Sequence, residues 1–248
     1  MAVVGIFDSG SGGLSVLKEI RRLLPGLKYI YYSDNANCPY GTKSSVFIRA
    51  RAREITELLM SKGASSVVVA CNTATAAAIE DLRATYDIPF VGMEPAVKPA
   101  ALGTRSGVIG VLATAGTLKA SKYLATRGRF EDEVRIVEHV GQGFVELVES
   151  LQLDGAAAEA TVERSVRPLL DAGADTIVLG CTHYPFLAET IRKVAGPDVR
   201  IIDPAPAVAR RLKDVLVSEG IATDDPEPGV ELLASGPDDT LRALFSRI

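Results

Sequence analysis

Two segments of the chain carry a cysteine in the same local setting. Cys71 lies in SSVVVACNTATAA and Cys181 lies in DTIVLGCTHYPFL, and the chain has only three cysteines. In both segments a β-branched apolar run, typical of a buried strand, ends in the cysteine, and polar residues follow at once. A thiol near a helix N-terminus ionises more readily, because the helix dipole and the N–H groups favour the thiolate. A lone buried cysteine is usually structural, but this pairing favours two activated thiols.

Two thiols that flank one small ligand suit one reaction in particular. Inversion of a carbon that bears a weakly acidic hydrogen needs a base on one face and an acid on the other. One thiolate can remove the proton while the opposite thiol delivers another, which is general acid–base catalysis by two like groups. A single nucleophilic cysteine would not need a matching partner.

Polar residues that suit anion binding surround the two cysteines. Asn72 and Thr73 follow Cys71, and Thr182 and His183 follow Cys181. Helix N-termini of this kind bind carboxylates well. The sequence leaves two roles open for His183, which are to assist the neighbouring thiol or to cap a helix.

Two further segments supply candidate binding residues. FDSGSGG contains Asp8 and Ser9 in a glycine-rich turn, but it matches neither nucleotide-binding fingerprint. Asp8 can meet an ammonium group, orient a catalytic group or stabilise the turn. SDNANCPYGTKS is predicted to be a structured loop in which Tyr40 and Gly41, after Pro39, frame a substrate carboxylate. Cys38 has no matching cysteine and is interpreted as structural or incidental.

The elements that must position these residues alternate regularly along the chain. Apolar runs rich in Val and Ile are typical of buried parallel strands, and they alternate with helical patterns. The predicted strands are VVGIFD, YIYYSD, SVVVAC, PFVGM, SGVIGVLA, VRIVEHV, DTIVLGC and VRIID. The predicted helices are Leu14–Leu24, Val46–Lys62, Ala74–Tyr86, Gly155–Ala172 and Ala205–Glu219. This order predicts an α/β fold with parallel sheets.

An internal repeat divides the chain. Gly5 pairs with Gly110, Cys71 with Cys181 and Glu94 with Asp203, in the same order and at nearly constant separation. Any α/β protein shows some self-similarity, but this agreement favours two similar lobes. We expect each lobe to be a mainly parallel sheet flanked by helices, with the lobes pseudo-twofold related and the active site between them. The predicted domains are 1–95 plus 206–248, and 96–205.

Composition excludes several classes of function. The net charge of −4 gives no support for nucleic-acid binding or for a membrane surface, and no apolar run is long enough to span a bilayer. The start MAVVGIFDSG is not typical of a signal peptide, so we expect a reducing cytosol and a cytoplasmic protein. No cluster of Cys and His has zinc spacing, so no metal site is predicted.

These residues together resemble the glutamate racemase family, within the aspartate/glutamate racemase superfamily. The resemblance rests on FDSGSGGLSVL, DNANCPYG, ACNTAT and LGCTHYP, with weaker agreement at GTLKASKY and GFVELVE. It implies an enzyme without a cofactor that interconverts L- and D-glutamate and supplies D-glutamate for peptidoglycan. We also expect a homodimer.

The resemblance also implies roles for individual residues. Cys71 and Cys181 become the two proton carriers, with Cys71 nearer the α-proton of D-glutamate and Cys181 nearer that of L-glutamate. Asp8 and His183 become supporting groups near the thiols, and Glu149 falls where a third supporting carboxylate lies. The implied substrate contacts are Asp8, Ser9, Tyr40, Gly41, Asn72, Thr73, Thr182 and His183.

Other functions stay open at this point. An aspartate racemase would use the same chemistry, although CTHYP favours glutamate. A two-lobed dicarboxylate-binding protein would need no paired thiols. A pyridoxal-dependent racemase has Lys43, Lys98 and Lys119 available, but no pattern marks any of them. A redox switch would require Cys71 and Cys181 to approach within disulfide range.

Overall fold

The computed structural model describes residues 3–224 and 226–248. Its internal contacts divide the chain into two compact units, Met1–Met93 with Ala205–Ile248, and Glu94–Pro204. We predicted domains at 1–95 plus 206–248 and at 96–205, and that these are separate domains stays a prediction. In the described residues no helix has both the length and the apolar character needed to cross a bilayer.

Parallel strands form one sheet in each unit, as the Val- and Ile-rich runs predict. The strands are β1 Val3–Asp8, β2 Lys28–Ser33, β3 Ala64–Val69, β4 Phe90–Val91, β5 Val108–Ala113, β6 Arg135–Val140, β7 Thr176–Gly180, β8 Arg200–Ile202 and β9 Gly229–Ala234. The first unit has the order β4-β3-β1-β2-β9, and the second has β6-β5-β7-β8. Every neighbouring pair is parallel. The predicted fold class, α/β with parallel sheets flanked by helices, is confirmed.

Helices connect the strands, as parallel neighbours require. They are α1 Leu14–Leu23, α2 Ser45–Ser61, α3 Asn72–Thr85, α4 Val97–Ala101, α5 Ala115–Leu118, α6 Ser121–Gly128, α7 Phe144–Glu149, α8 Gly155–Asp171, α9 Ala188–Ala195, α10 Ala205–Ser218 and α11 Asp239–Phe245. In the first unit α1 packs against α10, and α2 packs against α3. In the second unit α8 packs against α9.

The strand order explains why the two cysteine segments look alike. In the first unit β1 pairs with β2 on one side and β3 on the other. In the second unit β5 pairs with β6 on one side and β7 on the other. Strands β3 and β7 therefore hold equivalent places in their own sheets. Their central residues are fully buried, because helices cover both faces of a parallel sheet and leave no polar face to solvent.

A carboxylate anchors the start of β7. The Asp175 side chain accepts hydrogen bonds from Thr104 Oγ1 at 2.7 Å, Arg105 N at 2.6 Å and Ser106 N at 2.7 Å. These bonds tie β7 to the segment that follows α4. Burial raises the pKa of Asp175, but the hydrogen bonds outweigh burial and lower the pKa to about 2.

We expect Asp175→Asn to lower the free energy of unfolding by about 1 kcal/mol at pH 7, at the low end for charge-assisted bonds because this carboxylate is partly exposed to solvent. The pKa is lower in the folded protein than in the unfolded one, so the contribution is complete above about pH 4 and disappears as pH falls towards 2. Urea unfolding at pH 7 and at pH 3 measures it. The exposed Asp198→Asn is the control, and an equal loss in both variants at pH 7 contradicts the assignment.

Candidate active site

In the first unit, Cys71 stands at the junction of β3 and α3. It is the N-cap residue of α3, and its Sγ accepts a hydrogen bond from Ala74 N at 3.4 Å. Ser9 Oγ lies 3.7 Å from the same sulfur. The side chain is nearly buried, with 6% relative exposure. A helix N–H directed at sulfur stabilises negative charge there, so the local geometry favours the thiolate.

Asp8 closes the glycine-rich turn that brings Ser9 beside Cys71. Its carboxylate is fully buried and accepts hydrogen bonds from Ser9 N and Gly13 N, both at 2.7 Å. A Cβ at Gly13 would lie 2.8 Å from Asp8 Cβ and from Tyr31 Oη, so the turn accepts only glycine there. Of the roles left open for Asp8, the structure displays the turn-stabilising one.

The residues after Cys71 are polar and buried. Asn72 and Thr73 form the first turn of α3 with relative exposures of 4% and 8%. Among the described residues, neither Oδ1 nor Nδ2 of Asn72 has a hydrogen-bond partner. A buried amide left unmatched is costly, so it is well suited to a ligand that offers both a donor and an acceptor.

The loop after β2 brings Tyr40 into the first unit's core. Tyr40 begins a short 3₁₀ turn that includes Gly41, and its hydroxyl donates to the Asp34 carboxylate at 2.5 Å. Burial and the neighbouring Asp34 both raise the pKa of Tyr40. Asp34 in turn forms an ion pair with Arg51 at 2.8 Å. No role was predicted for Asp34 or Arg51 from the sequence. Cys38 lies half-buried in the same loop.

In the second unit, Cys181 follows β7 but does not cap an α-helix. A turn comes first, then a 3₁₀ segment, Tyr184–Leu187, and only then α9. Pro185 has no N–H, so the chain closes here with short-range bonds such as Tyr184 N to Cys181 O at 3.2 Å. The two cysteines therefore share the strand end but differ in the turn that follows it.

His183 connects Cys181 to Glu149. The ring is 1% exposed, with Nε2 2.7 Å from Glu149 Oε1 and Nδ1 3.8 Å from Cys181 Sγ. If Nε2 carries the ring proton and donates a hydrogen bond to Glu149, then Nδ1 is unprotonated and its lone pair faces the thiol. The arrangement can therefore receive a proton from Cys181 or return one. Of the two roles left open for His183, assistance to the thiol fits these contacts, and no side-chain cap bond is present. Thr182, between them, is 2% exposed.

Tyr184, the residue after His183, packs against the helix that carries Glu149. Its ring packs edge-on against Phe144 with centroids 4.9 Å apart, and its hydroxyl donates to Gly141 O at 3.4 Å. Phe144 begins α7, and Glu149 ends it. Burial and the nearby Cys181 raise the pKa of Tyr184, so the phenol stays neutral.

We expect Gly141→Ala to disturb this support. The added Cβ would lie 2.5 Å from Tyr184 Oη and 2.6 Å from Cζ of the same ring. The ring or α7 must move, at a cost of about 1–3 kcal/mol in the free energy of unfolding. Gly128→Ala is the matched control, because a Cβ there meets nothing within 4 Å and the position lies in α6. Thermal unfolding measures both variants, and equal midpoints would contradict the prediction.

Fold and site together define a class of protein: an α/β chain with two parallel sheets, each carrying a buried thiol at the carboxyl end of an equivalent strand. The model of the family described as Asp/Glu/Hydantoin racemase matches residues 4–212. The chain therefore belongs to this family, and the predicted resemblance is confirmed.

Individual relatives agree with this membership. A curated protein from Methylococcus capsulatus, named glutamate racemase, is 49% identical over 235 residues, which are 94% of this chain and 87% of the relative. The crystal structure of Escherichia coli glutamate racemase, in complex with L-glutamate and the activator UDP-MurNAc-ala, aligns with a TM-score of 0.90. The alignment covers 99% of this chain and 94% of that one, at 38% identity. Glutamate racemase from Francisella tularensis, in complex with D-glutamate, gives 0.84 at 26% identity, over 99% and 92% of the two chains.

Proposed function

We propose that this chain is a glutamate racemase that interconverts L-glutamate and D-glutamate by proton transfer at the α-carbon. The observation that carries the proposal is the pair of buried thiols, Cys71 and Cys181, at the ends of equivalent strands β3 and β7. Glutamate is proposed as the substrate because the related glutamate racemases include one structure in complex with L-glutamate and one in complex with D-glutamate.

The mechanism uses the two thiols in opposite protonation states. From L-glutamate, the Cys181 thiolate removes the α-proton and leaves a carbanion stabilised by the adjacent carboxylate. The Cys71 thiol then delivers a proton to the opposite face, which gives D-glutamate and a Cys71 thiolate. The reverse reaction exchanges the roles. The proposal requires that both sulfurs reach the α-carbon of one substrate molecule.

Neighbouring groups serve each thiol. We propose that His183, held by Glu149, shuttles a proton at Cys181 and stabilises its charge. At Cys71 the N–H of Ala74 stabilises negative charge on the sulfur, and Ser9 Oγ, whose hydroxyl donates to Asp8, can accept a hydrogen bond from the thiol. The proposed substrate contacts are Asp8, Ser9, Tyr40, Gly41, Asn72, Thr73, Thr182 and His183. The unmatched amide of Asn72 supports this set.

We further propose that the D-glutamate product supplies peptidoglycan synthesis in the cytoplasm. The homodimer expected from the sequence stays a prediction. Aspartate is the second candidate substrate, and comparison of rates on the two amino acids decides between them. A binding protein without turnover would leave the α-proton of glutamate unexchanged.

We expect the protein, freed of metal and pyridoxal phosphate, to exchange the α-proton of L-glutamate for solvent deuterium and to form D-glutamate. Loss of the α-proton signal in a ¹H NMR spectrum, followed by chiral chromatography, measures both events. Cys71→Ser and Cys181→Ser should each abolish inversion, because a serine hydroxyl is far too weak an acid to replace the thiol. Undiminished racemisation in both variants would overturn the two-thiol mechanism.

We expect Glu149→Gln to slow the proton transfer at Cys181 about tenfold or more, because His183 loses the carboxylate that orients its ring and stabilises the imidazolium formed when the ring takes up a proton. The deuterium isotope effect on kcat/KM should then rise for α-deuterated L-glutamate and fall for α-deuterated D-glutamate. The two enantiomers serve as each other's control within one variant. Equal isotope effects in the two directions would show that Glu149 does not act on one thiol alone.

A further inference from the structure

The loop that carries Tyr40 and Gly41 has little regular structure of its own. Two short 3₁₀ turns, Asn35–Asn37 and Tyr40–Thr42, connect β2 to α2. Such a loop has few internal bonds to fix it, so its geometry depends on contacts from other elements. Under the proposed function, this loop meets a substrate carboxylate.

Asp34 is the point to which the loop is tied. Its side chain is fully buried, and its carboxylate accepts hydrogen bonds from the Tyr40 hydroxyl at 2.5 Å and from Asn37 Nδ2 at 3.1 Å. The two donors bracket the stretch between residues 37 and 40. The carboxylate therefore fixes the middle of the loop from inside.

Arg51 reaches Asp34 from α2 and matches its charge. Its Nη2 lies 2.8 Å from Oδ1 and its Nε lies 3.0 Å from Oδ2, so the pair is bidentate. Burial raises the pKa of Asp34, but the bonds from Arg51, Tyr40 and Asn37 outweigh it and hold the pKa below its ordinary value. Glu54 also contacts the guanidinium at the helix surface. A buried carboxylate without this cation would lose most of its electrostatic compensation.

A second anchor holds the beginning of the loop. Gly236 N donates to Asn35 Oδ1 at 2.8 Å, and Ala36 N donates to Ser235 Oγ at 3.0 Å. Residues 35 and 36 are therefore held by the segment after β9. Tyr40 and Gly41 lie beyond this anchor, and the hydrogen bond from the Tyr40 hydroxyl to Asp34 ties this part of the loop to the carboxylate.

We propose that Arg51 is a positioning residue for substrate binding: acting through Asp34, it holds the Tyr40–Gly41 turn in the geometry that receives a substrate carboxylate. This inference rests on the proposed function. Arg51 itself performs no proton transfer. Its planar fork is essential to the role, because a lysine ammonium cannot bond both carboxylate oxygens in the same way.

Arg53 provides a matched control on the same helix. It forms an equivalent bidentate pair with Asp81, at 2.7 Å from Nε and 2.5 Å from Nη2. Its side chain is 47% exposed, against 22% for Arg51. The same chemical change at Arg53 therefore removes a similar pair that has no tie to the loop.

The test compares Arg51→Met with Arg53→Met in steady-state assays of both glutamate enantiomers. We expect Arg51→Met to raise KM by about tenfold to a hundredfold, the range that the loss of a charge-assisted hydrogen bond implies, with a smaller change in kcat. Arg53→Met should leave both parameters near wild type. Arg51→Lys should fall between wild type and Arg51→Met. It also carries the comparison if Arg51→Met does not fold.

The double variant Arg51→Met/Asp34→Asn separates positioning from general stability. The change to an amide removes the uncompensated buried charge of Asp34 and keeps an oxygen that can accept the hydrogen bond from the Tyr40 hydroxyl. We therefore expect KM to recover by about threefold or more relative to Arg51→Met, because a neutral amide avoids the burial cost of an ion. A double variant no better than Arg51→Met, or equal KM values in the Arg51 and Arg53 variants, would overturn the proposal.

Hydrogen exchange makes the test independent of activity. Peptides that cover residues 37–43 should exchange faster in Arg51→Met than in Arg53→Met, and peptides that cover α3 should exchange in Arg51→Met as they do in wild type. If the wild-type protein does not racemise glutamate, the proposed function fails while the exchange data still test the loop anchor. Unchanged exchange in residues 37–43 of Arg51→Met would overturn the positioning role whatever the activity.

Discussion

The parallel direction of the strands is the constraint on which the rest of this structure depends. In a parallel sheet every strand ends at the same edge, so residues that follow different strands are brought together there. Asp8 is the last residue of β1, Asp34 follows β2, and Cys71 lies just after β3. Cys181 lies just after β7 in the second unit by the same rule. Within each unit the fold therefore gathers polar side chains at one edge of the sheet, while the apolar residues of the same strands form the core.

This gathering places polar groups where water is scarce, and each one needs an internal partner. Asp8 has backbone N–H groups, Asp34 has a guanidinium and a phenol, and His183 has a carboxylate. Some of these partners come from other elements, as Arg51 on α2 does for Asp34 and Glu149 on α7 does for His183, so those bonds also fix one element against another. Asn72 differs from these three residues, since among the described residues neither polar atom of its buried amide has a hydrogen-bond partner. Because the other three residues already have partners, the amide of Asn72 is left to form hydrogen bonds with a ligand.

Much of this arrangement follows from local sequence pattern. The Val- and Ile-rich runs predicted the strands, and the helical periodicity predicted helices such as Leu14–Leu24, observed as Leu14–Leu23. The repeated cysteine setting predicted two equivalent strand ends, because it depends on order along the chain. The residues assigned to catalysis and substrate binding stay predictions, as do the oligomeric state and the absence of a cofactor.

Long-range partners could not be predicted in this way. Arg49, Arg51 and Arg53 alternate in one helix with nearly identical neighbours, and nothing local shows that the middle one reaches a buried carboxylate. Glu149 and His183 are likewise far apart in sequence but 2.7 Å apart in space. The turn after Cys181 differs from that after Cys71 because Pro185 changes the first bonds of the helix that follows. Such features depend on which elements pack together, and a single sequence does not record that.

The route of the chain through the first unit has a consequence for biosynthesis. The second unit is one continuous stretch, Glu94–Pro204, and all its strands and helices leave the ribosome in a single run. The first unit is interrupted by that stretch, and β2 gains its outer neighbour β9 only when residues 229–234 have been made. The hydrogen bond from Gly236 N to Asn35 can form only later still, after residue 236 has been made. One of the first loops to be translated is therefore among the last to be fixed. Since domains fold as their residues emerge, the order of synthesis favours completion of the second unit before the first.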